Sequence, residues 1–444
     1  MNRREFARTG AAAAAALAAP RLGRAGAADL SEVLVRQARA VFAKNRVESA
    51  RGIFHVPSAT TYPRFYAWDS GWNIIGQSAF DPEAAIKELQ AVFAYQRDDG
   101  MVPHEAVLPE RAPRDENLGN DYFDEQGRCR IIDPPSYLVG AEVVYKKTKD
   151  PRVLALLPQM QKCLDYLTGP RDLFGDGLVS IVQAWESGTD MAPFYDKPLG
   201  VSVRDPLALA KVGLRHHEQV RQDAALGWDL KKIGEADFFV MEDLCMNGLA
   251  AAGARSLGVL YDAAGDPAKA EAARAVAAKM TAAMEKIMWD DKRGFFYPRW
   301  STRRRELQYR SCASSFAALL TGMVEKRKAD RMFDEYLLNP KRFNTRYVVP
   351  FNSAEELVRE INPLFKSALW RGACIWSNMS WMTARAAALY GRDDVARDLT
   401  SRNAEMVARA GFREYYHPRD GRGMGAPGFT WPAVVIDMID EHGI

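Results

Sequence analysis

Residues 153–167 read Val153-Leu154-Ala155-Leu156-Leu157-Pro158-Gln159-Met160-Gln161-Lys162-Cys163-Leu164-Asp165-Tyr166-Leu167. Val153, Leu157, Met160, Leu164 and Leu167 return every three or four positions, the spacing that lays apolar side chains along one face of an α-helix. Pro158 either kinks this helix or marks its true start. The same periodicity recurs at 31–44, 82–96, 136–147, 205–220, 242–261, 267–288, 311–323, 367–390 and 395–410. Asp81-Pro82, Asp150-Pro151 and Asp266-Pro267 are helix starts, an N-capping carboxylate followed by the residue suited to the first turn. Strand-like runs are short, at 178–183, 294–298 and 346–351, and nothing alternates in βαβ fashion. The chain is therefore expected to be all-α. Helix pairs without a persistent repeat of roughly 34–45 residues argue against a solenoid and for hairpins arranged in a ring. No linker interrupts the pattern, so residues 29–444 are expected to form a single domain.

Composition narrows the function. The chain has 444 residues, with 60 basic against 57 acidic side chains and a net charge of +3. That is too weak for a protein that binds nucleic acid or membranes electrostatically. All of that excess sits at the N-terminus, where Arg3, Arg4, Arg8, Arg21 and Arg24 stand against one acid, Glu5. Arg3-Arg4 with Phe6, an alanine run from Ala11 to Ala16 and the small-residue site Ala25-Gly26-Ala27 read as a twin-arginine export leader over 1–28. The expected destination is a bacterial periplasm or the exterior, with no membrane span after the leader is removed. Five cysteines in no C-x-x-C spacing read as buried thiols rather than a disulfide framework or metal site. No metal and no cofactor are expected.

The chemistry gathers in long loops, at 51–73, 99–135, 184–204, 340–370 and 412–430. Ala184-Trp185-Glu186-Ser187-Gly188-Thr189-Asp190 sets two carboxylates beside an aromatic side chain. A carboxyl held among apolar atoms keeps its proton longer and suits proton donation, although Asp190 also fits an Asx turn or helix cap. Glu414, in Arg413-Glu414-Tyr415-Tyr416-His417, is the second candidate, with an ion pair to Arg413 or Arg422 as the plainer alternative. Two carboxylates from distant positions are what glycoside hydrolysis needs, one to protonate the leaving oxygen and one to activate water. Phe65-Tyr66-Ala67-Trp68-Asp69, the stretch from Gln96 to His104, and Trp370-Arg371 through Trp376 and Asn378 to Trp381 offer the flat faces and hydrogen-bonding groups of a carbohydrate site. Each is also compatible with a core or cap. Gly423-x-Gly425-x-x-Gly428 follows turn residues rather than a strand and is not a dinucleotide fingerprint. His216-His217, adjacent on a helix, cannot chelate together.

In chain order, Trp68-Asp69-Ser70, Gln96 to His104, Pro134-Pro135, Glu186-Ser187-Gly188 with Asp190, Asp243 to Asn247, Trp370-Arg371-Gly372, Trp376 to Trp381, and Glu414-Tyr415-Tyr416 to Phe429-Thr430-Trp431 resemble glycoside hydrolase family 63. The similarity is greatest to its shorter bacterial branch, the mannosylglycerate and glucosylglycerate hydrolases. The resemblance implies an (α/α)6 toroid with the site in its central pit, and hydrolysis with inversion at an α-linked glucosyl or mannosyl residue. It implies Asp190 as general acid, Glu414 as general base, and Trp68, Asp69, Gln96, Glu186, Arg371, Trp376 and Trp381 around the sugar. Tyr66, His104, Asp133, Trp185, Asn247, Trp370, Asn378 and Trp431 complete the expected binding wall. Inversion would set the two carboxyls roughly 6.5–9.5 Å apart, leaving room for water.

The chain departs from that pattern in three places. Asp133 stands where the family usually has Gln, Ala373-Cys374-Ile375 replaces Pro-Val before Trp376, and Gln183-Ala184 replaces His-Pro. These positions bear on which sugar is taken. Two other readings make different predictions. A polysaccharide or uronide lyase would use Tyr66, Tyr416 or His417 as base, and a non-catalytic glycan-binding protein would show no turnover.

Overall fold

The computed structural model describes residues 24–108, 122–202, 204–359 and 368–444. The Arg3-Arg4 leader motif lies outside them. Helix α1 (Arg24–Asn45) leads into a hairpin of β1 (Arg46–Ser49) and β2 (Gly52–His55), and β3 (Phe65–Tyr66) introduces α2 (Ala67–Gln77). The helices that follow are α3 (Pro82–Ala94), α4 (Ser136–Thr148), α5 (Leu157–Thr168), α6 (Ala208–Ala225), α7 (Leu244–Ala263) and α8 (Pro267–Ile287). Closing the chain are α9 (Ser377–Leu389), α10 (Asp393–Ala410) and α11 (Val434–His442).

The capping expectations hold locally. Asp81 accepts the N–H of Ala84 at the start of α3, and Asp266 that of Lys269 at the start of α8, each followed by proline. In the 153–167 stretch, a short turn of helix (Pro151–Leu154) ends, and α5 begins at Leu157 with Pro158 in its first turn. Proline lacks the N–H that a helix interior needs, so it serves as a start rather than a kink. The 311–323 stretch forms a 3-10 helix over Ala313–Thr321 rather than an α-helix. Residues 346–351 form no strand and pair only through an isolated bridge from Pro350 to Ile375.

Two layers of helix close into a ring. The inner elements pack in sequence, α2 on α4, α4 on α7, α7 on 313–321, 313–321 on α9, α9 on α11, and α11 back on α2. Alternating with them outside, α3 packs on α2 and α4, α5 and α8 on α7, and α10 on α9 and α11, with α1 beside α10. This is the (α/α)6 toroid. An inner helix has a neighbour on each side and an outer helix behind, so it must be apolar nearly all round. All of α2 is buried, and so is α9 from Ser377 to Ala387. Buried charges on the inner helices are paired across the ring. Glu142 of α4 accepts from Ser256 of α7 at 2.6 Å and faces Arg385 of α9 at 3.7 Å, while Asp437 of α11 accepts from Trp381 and Lys147. All five cysteines are free and buried. Among the described residues, no helix is long and apolar enough to cross a membrane.

Candidate active site

A cavity of about 470 Å³ opens where the inner helices begin. Trp68 and Asp69 lie in the first turn of α2, Asp133 just ahead of α4, Trp376 at the N-cap of α9, and Trp431 in the 3-10 turn before α11. Helix N-termini present unpaired N–H groups and favour nearby negative charge, so this end of the ring suits a cluster of carboxylates.

Asp190 reaches the cavity from a loop whose motif residues each hold it in place. Glu186 is fully buried and accepts from the backbone N–H groups of Ile132 and Val182 and from Arg171, anchoring the 3-10 turn Ala184–Ser187. The Ser187 hydroxyl donates to the Ala184 carbonyl and accepts the N–H of Thr189. Gly188 has φ of +68°, and a Cβ there would lie 2.8 Å from the Trp68 ring, so both backbone and space demand glycine. Beyond Asp190, Arg371 grips Asp196 with two hydrogen bonds of 2.7 and 2.5 Å and donates to the Met191 carbonyl at 3.4 Å. Burial pushes the Asp190 carboxyl up to about 6, with the His104 cation pulling it down and Glu414 pushing it further up.

Glu414 comes from the hairpin β4 (Arg413–Tyr416) and β5 (Gly423–Pro427), whose register shifts between Arg413 and Tyr415. Such a bulge re-aims a side chain, and Glu414 lines the same cavity as Asp190. Its Oε1 accepts from the Tyr62 hydroxyl at 3.0 Å and its Oε2 from the Ala426 N–H at 2.8 Å. A Cβ on Gly425 would lie 2.4 Å from Oε2. The glycine-rich run thus makes room for a carboxylate. Burial raises the Glu414 proton affinity, while the Ala426 and Tyr62 hydrogen bonds oppose it.

The remaining wall combines aromatic faces with paired charges. Trp370 stacks on Trp376 with centroids 3.5 Å apart, and Trp431 packs near both. Trp68 meets Trp431 edge-on, and Tyr66 meets His104 likewise. His104 Nδ1 lies 2.6 Å from Asp133 Oδ1, and Arg64 lies 3.0 Å from Glu105. Burial opposes protonation of His104, but the Asp133 charge and hydrogen bond outweigh it and raise its pKa to about 9. Burial, then the Asp133 charge, hold the Asp69 carboxyl well above the usual range.

Of the expected site residues, Asp190, Glu414, Tyr66, Trp68, Asp69, His104, Asp133, Trp185, Trp370, Trp376 and Trp431 line the cavity. The others stand elsewhere, each for a visible reason. Gln96 donates to the carbonyls of Gly100 and Gln159, fastening a turn to α5. The carboxylate of Glu186 is used up by Arg171 and backbone N–H groups. Asn247 exchanges hydrogen bonds with both backbone groups of Val179. Arg371 is buried on Asp196, Asn378 accepts the N–H of Met379, and Trp381 donates to Asp437. None of these six lines the cavity. Tyr62, Arg64, Glu105 and His217 line the cavity without having been singled out as sugar ligands. His216 and His217 each pack edge-on against Trp185, and only His217 lines the cavity.

An (α/α)6 ring with two carboxylates in an aromatic pit is the architecture of a glycoside hydrolase, and this chain is one. The family model of the mannosylglycerate hydrolase MGH1-like glycoside hydrolase domain matches residues 62–432, and the chain belongs to that family. It is 29% identical to the mannosylglycerate hydrolase of Thermus thermophilus, over 87% of this chain and 96% of that one. To the mannosylglycerate hydrolase of Rubrobacter radiotolerans it is 27% identical, over 92% and 97%. The crystal structure of a GH63 mannosylglycerate hydrolase from Thermus thermophilus in complex with glucose superposes with a TM-score of 0.77 at 28% identity, covering 92% of this chain and 100% of that one. The same enzyme in complex with Tris and D-glycerate gives 0.78 at 27% identity, with the same coverage.

Proposed function

We propose that this chain is an inverting α-glycosidase that removes an α-linked mannosyl or glucosyl residue, with Asp190 as general acid and Glu414 as general base. The observation that carries the reading is the contrast between the two carboxyls in one cavity. Burial raises both, holding the Asp190 proton to about 6, while Glu414 receives two donated hydrogen bonds that favour its ionised form. In the reaction, Asp190 gives its proton to the glycosidic oxygen as the bond to the anomeric carbon breaks. Glu414 takes a proton from the water that attacks the opposite face. The stacked Trp370–Trp376 pair and Trp68 supply faces for the sugar ring, and Asp69 accepts from its hydroxyls.

Mannosylglycerate, the substrate in the names of the relatives described above, is the first glycoside to try. Hydrolysis followed by proton NMR decides the stereochemistry. An α-glycoside should release the β-anomer first, and an α-anomer first would rule out inversion. Asp190→Asn and Glu414→Gln should each lower turnover by roughly three or more orders of magnitude. The N-terminal Arg3-Arg4 motif supports export before action, so a reporter fused behind residues 1–28 should leave the cytoplasm through the twin-arginine route. Replacing both arginines by lysine should stop it.

A further inference from the structure

Asp133 holds His104 by geometry that leaves little freedom. Asp133 Oδ1 lies 2.6 Å from His104 Nδ1, and Oδ2 accepts the Trp68 backbone N–H at 3.0 Å. An ionised Asp133 has only acceptor oxygens, so opposite it Nδ1 carries the proton and Nε2 is the nitrogen left for the cavity. Asp133 is shielded, but the His104 side chain keeps 18% exposure and lines the cavity. The carboxyl groups facing His104 are Asp133 from the segment before α4, Glu105 at the next position in the chain, Asp69 at the start of α2, and Asp190. Tyr66 covers one edge of the ring. Arg64, the other cation of this wall, is bound to Glu105.

The groups facing Asp190 are Glu414, His104 and Tyr62. His216 behind the loop is buried and pushed down to about 4, so it brings no charge at neutral pH.

We propose that Asp133 and His104 form a positioning dyad for the acid: the pair fixes a cation in a wall of carboxylates, and that charge sets the alkaline limit of the reaction through Asp190. The inference rests on the reading of Asp190 as general acid. A neighbouring cation favours the carboxylate, whereas burial and Glu414 favour the acid form. With the cation gone, Asp190 keeps its proton to higher pH. The alkaline limb of kcat/KM therefore moves up, which a purely structural role for the pair would not produce.

The test is the pH dependence of kcat/KM for the full chain and for His104→Gln and Asp133→Asn, with mannosylglycerate or whichever α-mannoside or α-glucoside is turned over. His104→Gln, which removes the cation outright, should move the alkaline limb upward by roughly half to one unit. Carbon-13 NMR of labelled imidazoles in the parent enzyme should find His104 protonated at about pH 7.5, and its titration should fall by at least about one unit in Asp133→Asn. This measurement stands even where His104→Gln does not fold. A limb that stays in place in an active His104→Gln, or a neutral His104 in the parent at about pH 7, overturns the dyad. An Asp190→Asn variant with parental turnover overturns the acid reading itself. An inactive Asp190→Asn with an unmoved limb in His104→Gln defeats the dyad alone.

Discussion

Tyr62 donates its phenolic proton to Glu414 Oε1 at 3.0 Å, although 352 positions separate the two in the chain. The hydrogen bond stabilises the ionised carboxylate, the form a general base requires, against the burial that favours the neutral one. Tyr62→Phe should therefore raise the proton affinity of Glu414. A base works only when deprotonated, so the acidic limb of kcat/KM should move to higher pH, by roughly half to one unit. On the acidic limb the rate should fall by up to about three- to tenfold, with a smaller loss as the pH rises and Glu414 ionises in either protein. A pH–rate profile of the two proteins checks this, and an unmoved acidic limb would detach Tyr62 from the base.

Gly188 and Gly425 make room for the two halves of the chemistry. Each has a positive φ, +68° and +63°, and a Cβ would meet Trp68 in one case and the Glu414 carboxylate in the other. Gly425→Ala should displace the carboxylate from the Ala426 N–H and cost about 1–2 kcal/mol in backbone strain. The expected result is a folded protein, with a Tm lower by several degrees and kcat reduced at least about a hundredfold. Circular dichroism on melting and steady-state kinetics separate the two effects.

The ring was legible because inner and outer helices both leave a periodic apolar signature, as in Leu157, Met160 and Leu164, and because aspartate and proline punctuate the starts. The catalytic end was legible in part. Trp68, Asp69, Trp376 and Trp431 sit in first turns or just before them, where loop chemistry meets helix N-termini. Glu186 and Asn247, expected around the sugar, do not line the cavity. A polar side chain that satisfies buried backbone groups and one that faces a pit have the same composition and neighbours. Tyr62 and Glu105 left no signal, since their roles depend on pairings with Glu414 and Arg64 that only the closed ring creates.

Glu186 offers a sharp contrast with a sugar ligand. It is fully buried, holds Arg171 at 2.8 Å and receives the Ile132 and Val182 N–H groups. Glu186→Gln leaves the Arg171 guanidinium buried without its counter-charge, which typically costs about 3–5 kcal/mol. Denaturant unfolding should record that loss. The fraction of enzyme that remains folded at low temperature should keep KM within about threefold of the parent. A large rise in KM with unchanged stability would instead put Glu186 in contact with substrate.

Arg371 tests how the acid is held. Its two hydrogen bonds to Asp196 and its contact with the Met191 carbonyl brace the loop that carries Asp190, yet Arg371 itself does not line the cavity. Lysine keeps the charge but can supply neither the planar fork nor the reach to both oxygens. Arg371→Lys should therefore bind substrate nearly as the parent does but misplace the proton donor, lowering kcat by about ten- to a hundredfold with little change in KM. The loss should shrink for substrates whose leaving group needs no protonation, such as an α-glycosyl fluoride, because only acid assistance has been impaired. Equal losses on the fluoride and on a poor alcohol leaving group would mean that Arg371 supports the sugar site as a whole rather than the loop of Asp190.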